Sequence, residues 1–140
     1  MRPILKIIVH CSASPDFQDI GFKEIDQWHH QRGLREGWIP RNGIWCGYHF
    51  LIRRNGIIEL GRTIDDPGVH VEGENADSVG ICLIGTHEFT ENQVKSLKRI
   101  IEGLQAEFEE AKIFEHREFE SAKRQGKTCP NLNVRAVLGF

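Results

Sequence analysis

The apolar positions fall into short blocks of differing period. Ile4, Leu5, Ile7, Ile8 and Val9 form a β-branched run ending at His10 and a Cys-Ser-Ala-Ser-Pro turn, which predicts a buried central strand over residues 4–10. From Phe22 the spacing changes to steps of three, through Ile25 and Trp28 to about Gly33, the mark of a short helix packed by one face. A loop rich in Gly, Pro and Trp follows. Residues 48–54 and 57–61 flank Asn55-Gly56, a pair that tolerates the positive φ of a tight hairpin turn. Residues 79–84 predict a second buried strand, with Cys82 in the core. Thr90 with Gln93 three residues on forms a capping box. The helix it opens carries Val94, Leu97, Ile100, Ile101, Leu104 and Phe108 on one face to about Ala111, and residues 112–116 read as a last short strand.

Strands interleaved with helices, one hairpin among them, predict an α/β fold: a mixed central sheet of about five strands flanked by helices. No linker, repeat or low-complexity segment interrupts the 140 residues, so residues 1–140 are expected to form a single domain. A chain of about this length buries roughly two thirds of its unfolded surface and needs no disulfide staples.

Charge narrows the partners. The chain has 18 Lys+Arg against 20 Asp+Glu, a net charge of −2, so it lacks the basic field that drives non-specific nucleic-acid binding, and no nucleic-acid partner is expected. The N-terminal apolar run is too short for a signal peptide or a membrane span. Synthesis in the cytoplasm is therefore expected, with its 4 cysteines kept as thiols: core residues, metal ligands or nucleophiles.

Three reactive residues stand where a sheet could gather them. His10 closes the first strand, His116 closes the last, and Cys129 lies in a loop before Pro130. Two imidazoles and one thiolate make a three-ligand set for zinc, with the fourth tetrahedral position left open, as in catalytic rather than structural sites. The spacing matches no zinc-finger or His-Glu-x-x-His pattern. The set carries information only through its place at a sheet rim, where ligands of such folds bind.

Five blocks then carry a resemblance: His10-Cys11-Ser12-Ala13 after the first strand, Gly47-Tyr48-His49-Phe50, the run from His70 to Gly80, His116-Arg117, and Lys127-Thr128-Cys129-Pro130. In this order they resemble type 2 N-acetylmuramoyl-L-alanine amidases of the peptidoglycan recognition protein superfamily, in particular its compact phage endolysins, the lysozyme-amidases of coliphages. The resemblance spans residues 10–130. It implies a zinc hydrolase that cuts the amide between N-acetylmuramic acid and L-alanine of peptidoglycan, with Zn2+ on His10, His116 and Cys129. It also implies that Tyr48 bonds the attacking water or the oxyanion, that Lys127 stabilises the oxyanion, and that His70 contacts muropeptide at the groove rim.

Alternatives stay open at several points. Lys123 competes with Lys127 for the cationic role, because the segment between His116 and Cys129 is longer than in compact phage members. Cys11 adjoins His10 and Cys46 lies two residues before Tyr48, so either thiol could approach the metal; strand alternation favours a buried apolar Cys11. By the same alternation His49 should face away from Tyr48. Asn75 and Ser78 are expected to shape the loop before the second buried strand, and the loop of residues 35–45 to line the groove or bind glycan. The resemblance thus implies a monomeric endolysin that reaches peptidoglycan through a membrane pore. A binding-only recognition module, a muropeptide-recycling amidase and a cysteine hydrolase are the competing readings.

Overall fold

A computed structural model describes residues 1–139. It has β1 (Lys6–Cys11), α1 (Phe22–Glu36), β2 (Phe50–Ile52), β3 (Ile58–Leu60), β4 (Ser78–Leu83), α2 (Glu91–Glu107), β5 (Lys112–Glu115), α3 (Glu120–Arg124) and α4 (Val134–Leu138), with 3₁₀ turns at Asn75–Asp77 and His116–Glu118. The five strands form one sheet in the order β3-β2-β4-β1-β5. β1 runs parallel to both β4 and β5, and β2 is parallel to β4 and antiparallel to β3. This is the mixed α/β sheet that the apolar pattern predicts. No helix among the described residues is long and apolar enough to cross a membrane.

Central strands are buried on both faces, which is why β1 and β4 read as continuous apolar runs. One face of the sheet packs Ile7, Val9, Val79, Ile81 and Leu83 against Leu97, Ile100, Ile101 and Leu104 of α2, with Val134 and Leu138 of α4 closing the layer. A fully buried Leu or Ile of this kind contributes about 2 kcal/mol. The other face has a smaller apolar cluster of Ile25, Cys46, Leu51, Cys82 and Ile84 under α1. The remaining room on that face holds polar rings.

Local signals act as expected in two places. Gln93 N–H donates to Thr90 Oγ1 and Thr90 N–H to Gln93 Oε1, both at 3.0 Å, which closes the capping box of α2. Gly56 takes φ +91° in the β2–β3 turn, and Asn55 Oδ1 accepts from Ile57 N–H at 3.0 Å.

Three boundaries differ from the sequence expectation. α1 continues past Gly33 to Glu36 and stops at Gly37, φ +75°, because Gly33 serves close approach: a Cβ there would stand 2.8 Å from the Trp45 ring. α2 ends at Glu107 rather than near Ala111. His116 opens a 3₁₀ turn instead of ending β5, a turn held by Glu118, whose carboxylate accepts from Glu115 N–H at 2.6 Å.

Candidate functional site

His10 and His116 meet because β1 and β5 are parallel neighbours in the register Val9↔Glu115, so the next residue of each chain emerges at the same rim. Their ring centroids are 4.4 Å apart, and both are buried. Cys129 arrives from its loop on two backbone anchors. Arg117 N–H donates to Cys129 O at 2.9 Å, and Cys11 N–H points at Cys129 Sγ at 3.0 Å. One donor atom from each of His10, His116 and Cys129 lies within 4.8 Å of the other two. Among the described residues this is the group able to hold a metal ion.

The protonation states of the two imidazoles suit that role. Burial pushes His10 well below its ordinary value, and the rings of His70 and His116 add to the shift. His116 falls to about 4, from burial first and the Lys127 ammonium second. Both imidazoles are therefore neutral, the form that ligates. Cys129 Sγ sits against the Cys11 backbone, 3.0 Å from its N–H and 3.7 Å from its O, and the two thiols shift each other: Cys11 falls to about 7 while Cys129 is pushed up, each chiefly by the other and by burial. The proton that leaves readily is therefore on Cys11 rather than Cys129, and the second loss is resisted because two adjacent thiolates repel; a cation on the donor set would draw the thiolate to Cys129.

His116 and Cys129 line a cavity of about 400 Å3, with His10 buried behind them, and its lining also includes Tyr48, His70, Lys127, Trp38 and Arg32. The Tyr48 ring stands 5.1 Å from that of His10, and burial raises its phenol well above the ordinary value, so it keeps its proton. Lys127 lines the cavity; Lys123 lies on α3 outside the lining. His70 lines the cavity too, but its Nδ1 is 2.8 Å from His10 Nε2 and its Nε2 is 3.1 Å from Ser78 Oγ. It thus joins a chain that ends on His10. Asn75 Oδ1 accepts from His70 N–H and Val71 N–H, both at 3.0 Å, which holds the loop as expected of that residue.

Several neighbours depart from the alternation argument. Residues 47–49 precede β2 and do not follow strand geometry, so Tyr48 and His49 both approach His70, at 6.4 and 6.0 Å between centroids. Cys11 is buried yet bonded to Cys129, beyond the simple apolar role. Cys46 is fully buried in the α1 cluster and raised to about 12 by burial, which makes it a core thiol. His29 carries a role that the sequence did not suggest. Its Nδ1 accepts from Gly47 N–H at 2.9 Å, and its ring stands 5.4 Å from Tyr48. The readable signal was its place one turn after the buried Ile25; Trp28, on the expected stripe, is 43% exposed.

With the fold and the donor set in view, comparison with known proteins defines the class. The family model described as N-acetylmuramoyl-L-alanine amidase matches residues 1–132. The chain belongs to that family. It is 35% identical over 138 residues to the endolysin of Klebsiella phage KP32, covering 93% of this chain and 82% of that one. It is also 35% identical over 137 residues to the endolysin of Escherichia phage T7, covering 92% and 82%. Among solved structures, the N-acetylmuramoyl-L-alanine amidase LysC from Clostridium intestinale URNW matches with a TM-score of 0.78 and 26% identity over 99% of this chain and 87% of that one. Drosophila PGRP-LB shares the fold at a TM-score of 0.68 and 23% identity, covering 97% and 79%.

Proposed function

We propose that the protein is a zinc-dependent N-acetylmuramoyl-L-alanine amidase of the endolysin kind, with residues 1–140 acting as one catalytic domain, as a monomer, on peptidoglycan reached from the cytoplasm through a membrane pore. The observation that carries the reading is the His10, His116 and Cys129 donor set, within 4.8 Å of one another, with His116 and Cys129 lining the cavity. Two neutral nitrogens and one sulfur suit Zn2+, a borderline-soft cation. Three protein donors, two of them lining a cavity, is the arrangement of catalytic rather than structural zinc. When bound there, Zn2+ supplies Lewis acidity toward the scissile carbonyl and the attacking water.

The protein's own groups do the rest. His70 engages Nε2 of His10, which leaves Nδ1 for the cation. Tyr48, protonated across the neutral range, donates a hydrogen bond where negative charge develops on the carbonyl oxygen. Lys127 adds a positive charge on the same side, a contribution whose loss typically costs about 10²–10³ in rate. The lactyl-alanine amide lies in the cavity between them.

The competing readings lose support on particular residues. A thiol hydrolase needs an accessible nucleophile; Cys46 is buried and raised to about 12, and Cys11, although it lines the cavity and falls to about 7, is only 5% exposed and packs against Cys129. A binding-only module has no use for a thiol among the metal donors. The test is metal content together with release of new alanine amino termini from sacculi. Cys129→Ser is expected to lose stoichiometric zinc and at least about 100-fold in rate. Full turnover by that variant, or in excess chelator, refutes the reading.

A further inference from the structure

Away from the metal group the cavity is lined on the α1 side by Arg32, Glu36, His29 and Trp38, none of which the proposed chemistry uses. The Arg32 guanidinium lies over the Trp38 ring at 5.2 Å. Its Nε pairs with Glu36 Oε2 at 2.5 Å, and both side chains are 46% exposed. Among the described lining residues the cations are Arg32 at this end and Lys127 at the metal end.

The support beneath this guanidinium is rigid. Trp38 N–H donates to Gly33 O at 2.9 Å, and Arg41 and Ile44 form an isolated bridge across the loop tip. At the loop's far end Asp26 Oδ1 accepts from Trp45 N–H and Cys46 N–H at 2.7 and 2.8 Å. Both indoles are already engaged. Trp38 carries Arg32 on one side and meets His29 edge-on at 5.2 Å, and Trp45 stacks on His30 at 4.5 Å and 18°. A sugar ring stacking on this loop would find those contacts occupied, which argues against a glycan ligand here. The donor that faces the cavity is a planar, preorganised guanidinium, suited to bidentate recognition of a carboxylate.

Glu36 holds the guanidinium by the single Nε–Oε2 contact. An exposed i,i+4 pair contributes about 0–1 kcal/mol, so an incoming carboxylate can displace it. Distance is also suitable. From His10 the wall runs through Tyr48, His29 and Trp38 to Arg32 in steps of 5.1, 5.4, 5.2 and 5.2 Å. A peptide of three to five extended residues spans roughly 10–17 Å, comparable to that path once its bends are allowed for.

We infer that Arg32, stacked on Trp38 and held ready by Glu36, reads a carboxylate of the peptide stem and so sets the enzyme's preference for free over amidated stems. This rests on the amidase reading for the identity of the ligand. The stem leaves the scissile alanine and carries carboxylates beyond it. Once a stem carboxylate pairs with Arg32, Glu36 is released to solvent, so the recognition exchanges one exposed ion pair for another with bidentate geometry.

The test compares stem peptides whose carboxylate at the third residue or beyond is free or amidated, first as binding of the released peptide by calorimetry on the zinc-loaded chain, then as KM and kcat on the matching muropeptides. The wild type is expected to bind the free form about 10-fold or more tightly than the amidated form, the usual scale of a charge-assisted pair. Arg32→Gln is expected to erase that ratio by weakening only the free form, with kcat within about two-fold and an unchanged melting temperature. Arg32→Lys should recover part of the ratio. Glu36→Gln should strengthen binding of the free form by up to about five-fold. A ratio near one in the wild type, or a ratio kept in Arg32→Gln, overturns the inference, as does equal weakening of both forms. Calorimetry reads recognition without turnover, so a chain that binds free stems by Arg32 but hydrolyses nothing would sink the amidase reading and leave this one standing.

Discussion

Replacing His70 by Phe keeps a ring of similar size over Gly80 and deletes both polar ends of the chain from Ser78 to His10. In the native chain His10 Nε2 has His70 Nδ1 at 2.8 Å, and His70 Nε2 has Ser78 Oγ at 3.1 Å. His10 is 1% exposed, so water cannot take the vacated place. A buried nitrogen without a partner costs about 1–3 kcal/mol, and the loss of a group that orients a metal-ligating histidine usually lowers affinity about 10–100-fold. The two estimates agree, since about 1.4 kcal/mol is a factor of ten. Zinc affinity by competition with a chromophoric chelator is the assay, with folding checked by thermal melts of the metal-free chain. Gly80→Ala reaches the same bond from beneath: its Cβ would stand 2.8 Å from His70 Cγ and 2.9 Å from Nδ1. It should lower zinc affinity in the same direction without altering any cavity side chain. Zinc affinity within two-fold of wild type in both variants, with KM raised in His70→Phe, would refute this account and return His70 to the substrate contact that the resemblance implies.

Two further outcomes follow from the same rings and thiols. His49 Nδ1 accepts from Gly80 N–H at 3.0 Å while Nε2 faces Asp66 O at 2.8 Å, so the ring is neutral, and burial lowers it from 6.5 to about 4. The unfolded chain then binds more protons between those values, so the contribution is present above about pH 6.5 and is lost as pH falls toward 4, up to about 3 kcal/mol. Urea midpoints at pH 7 and 4.5 should differ less in His49→Gln than in the wild type, and an equal difference would count against it. Cys11→Ala keeps the backbone N–H that meets Cys129 Sγ and is expected to keep zinc and turnover at a stability cost of about 1 kcal/mol; loss of turnover with zinc retained would favour the thiol-hydrolase reading.

The parts of the fold legible in the sequence are those whose cause is local or strictly periodic. The Asn55-Gly56 hairpin depends on a positive φ that its residues tolerate, and α2 starts at a cap whose two bonds lie within four residues. α3 and α4 were missed because each has five residues, too few for a repeat to show. They are fixed from outside, by Ser121 Oγ donating to Glu72 O at 3.2 Å and by burial of Val134 and Leu138 against the α2 layer. Gly33 misled for a related reason. Glycine ends helices when it takes positive φ, but it also stands wherever another group comes too close for a Cβ, and only the position of Trp45 tells these apart.

The candidate site was legible to a different depth at each residue, because topology and side-chain direction carry different information. That His10 and His116 share a rim follows once β1 and β5 are parallel neighbours, since equal register puts their C-terminal ends side by side. Sequence could suggest the two strands but not their adjacency, which depends on β4 taking the other side of β1. Cys129 required a loop to return, and its anchors are backbone groups of Arg117 and Cys11, which no residue type announces. The outer cavity lies further still from sequence. Arg32, Trp38 and Glu36 are unremarkable in a charged helix end and a loop, where an i,i+4 pair is the ordinary solvated arrangement. What separates them from that ordinary case is that the same helix face carries His29 onto Tyr48. Whatever Arg32 binds therefore lies along one continuous wall with the group nearest the metal donors, so a substitution there should change which stem is chosen before it changes how fast the amide is cut.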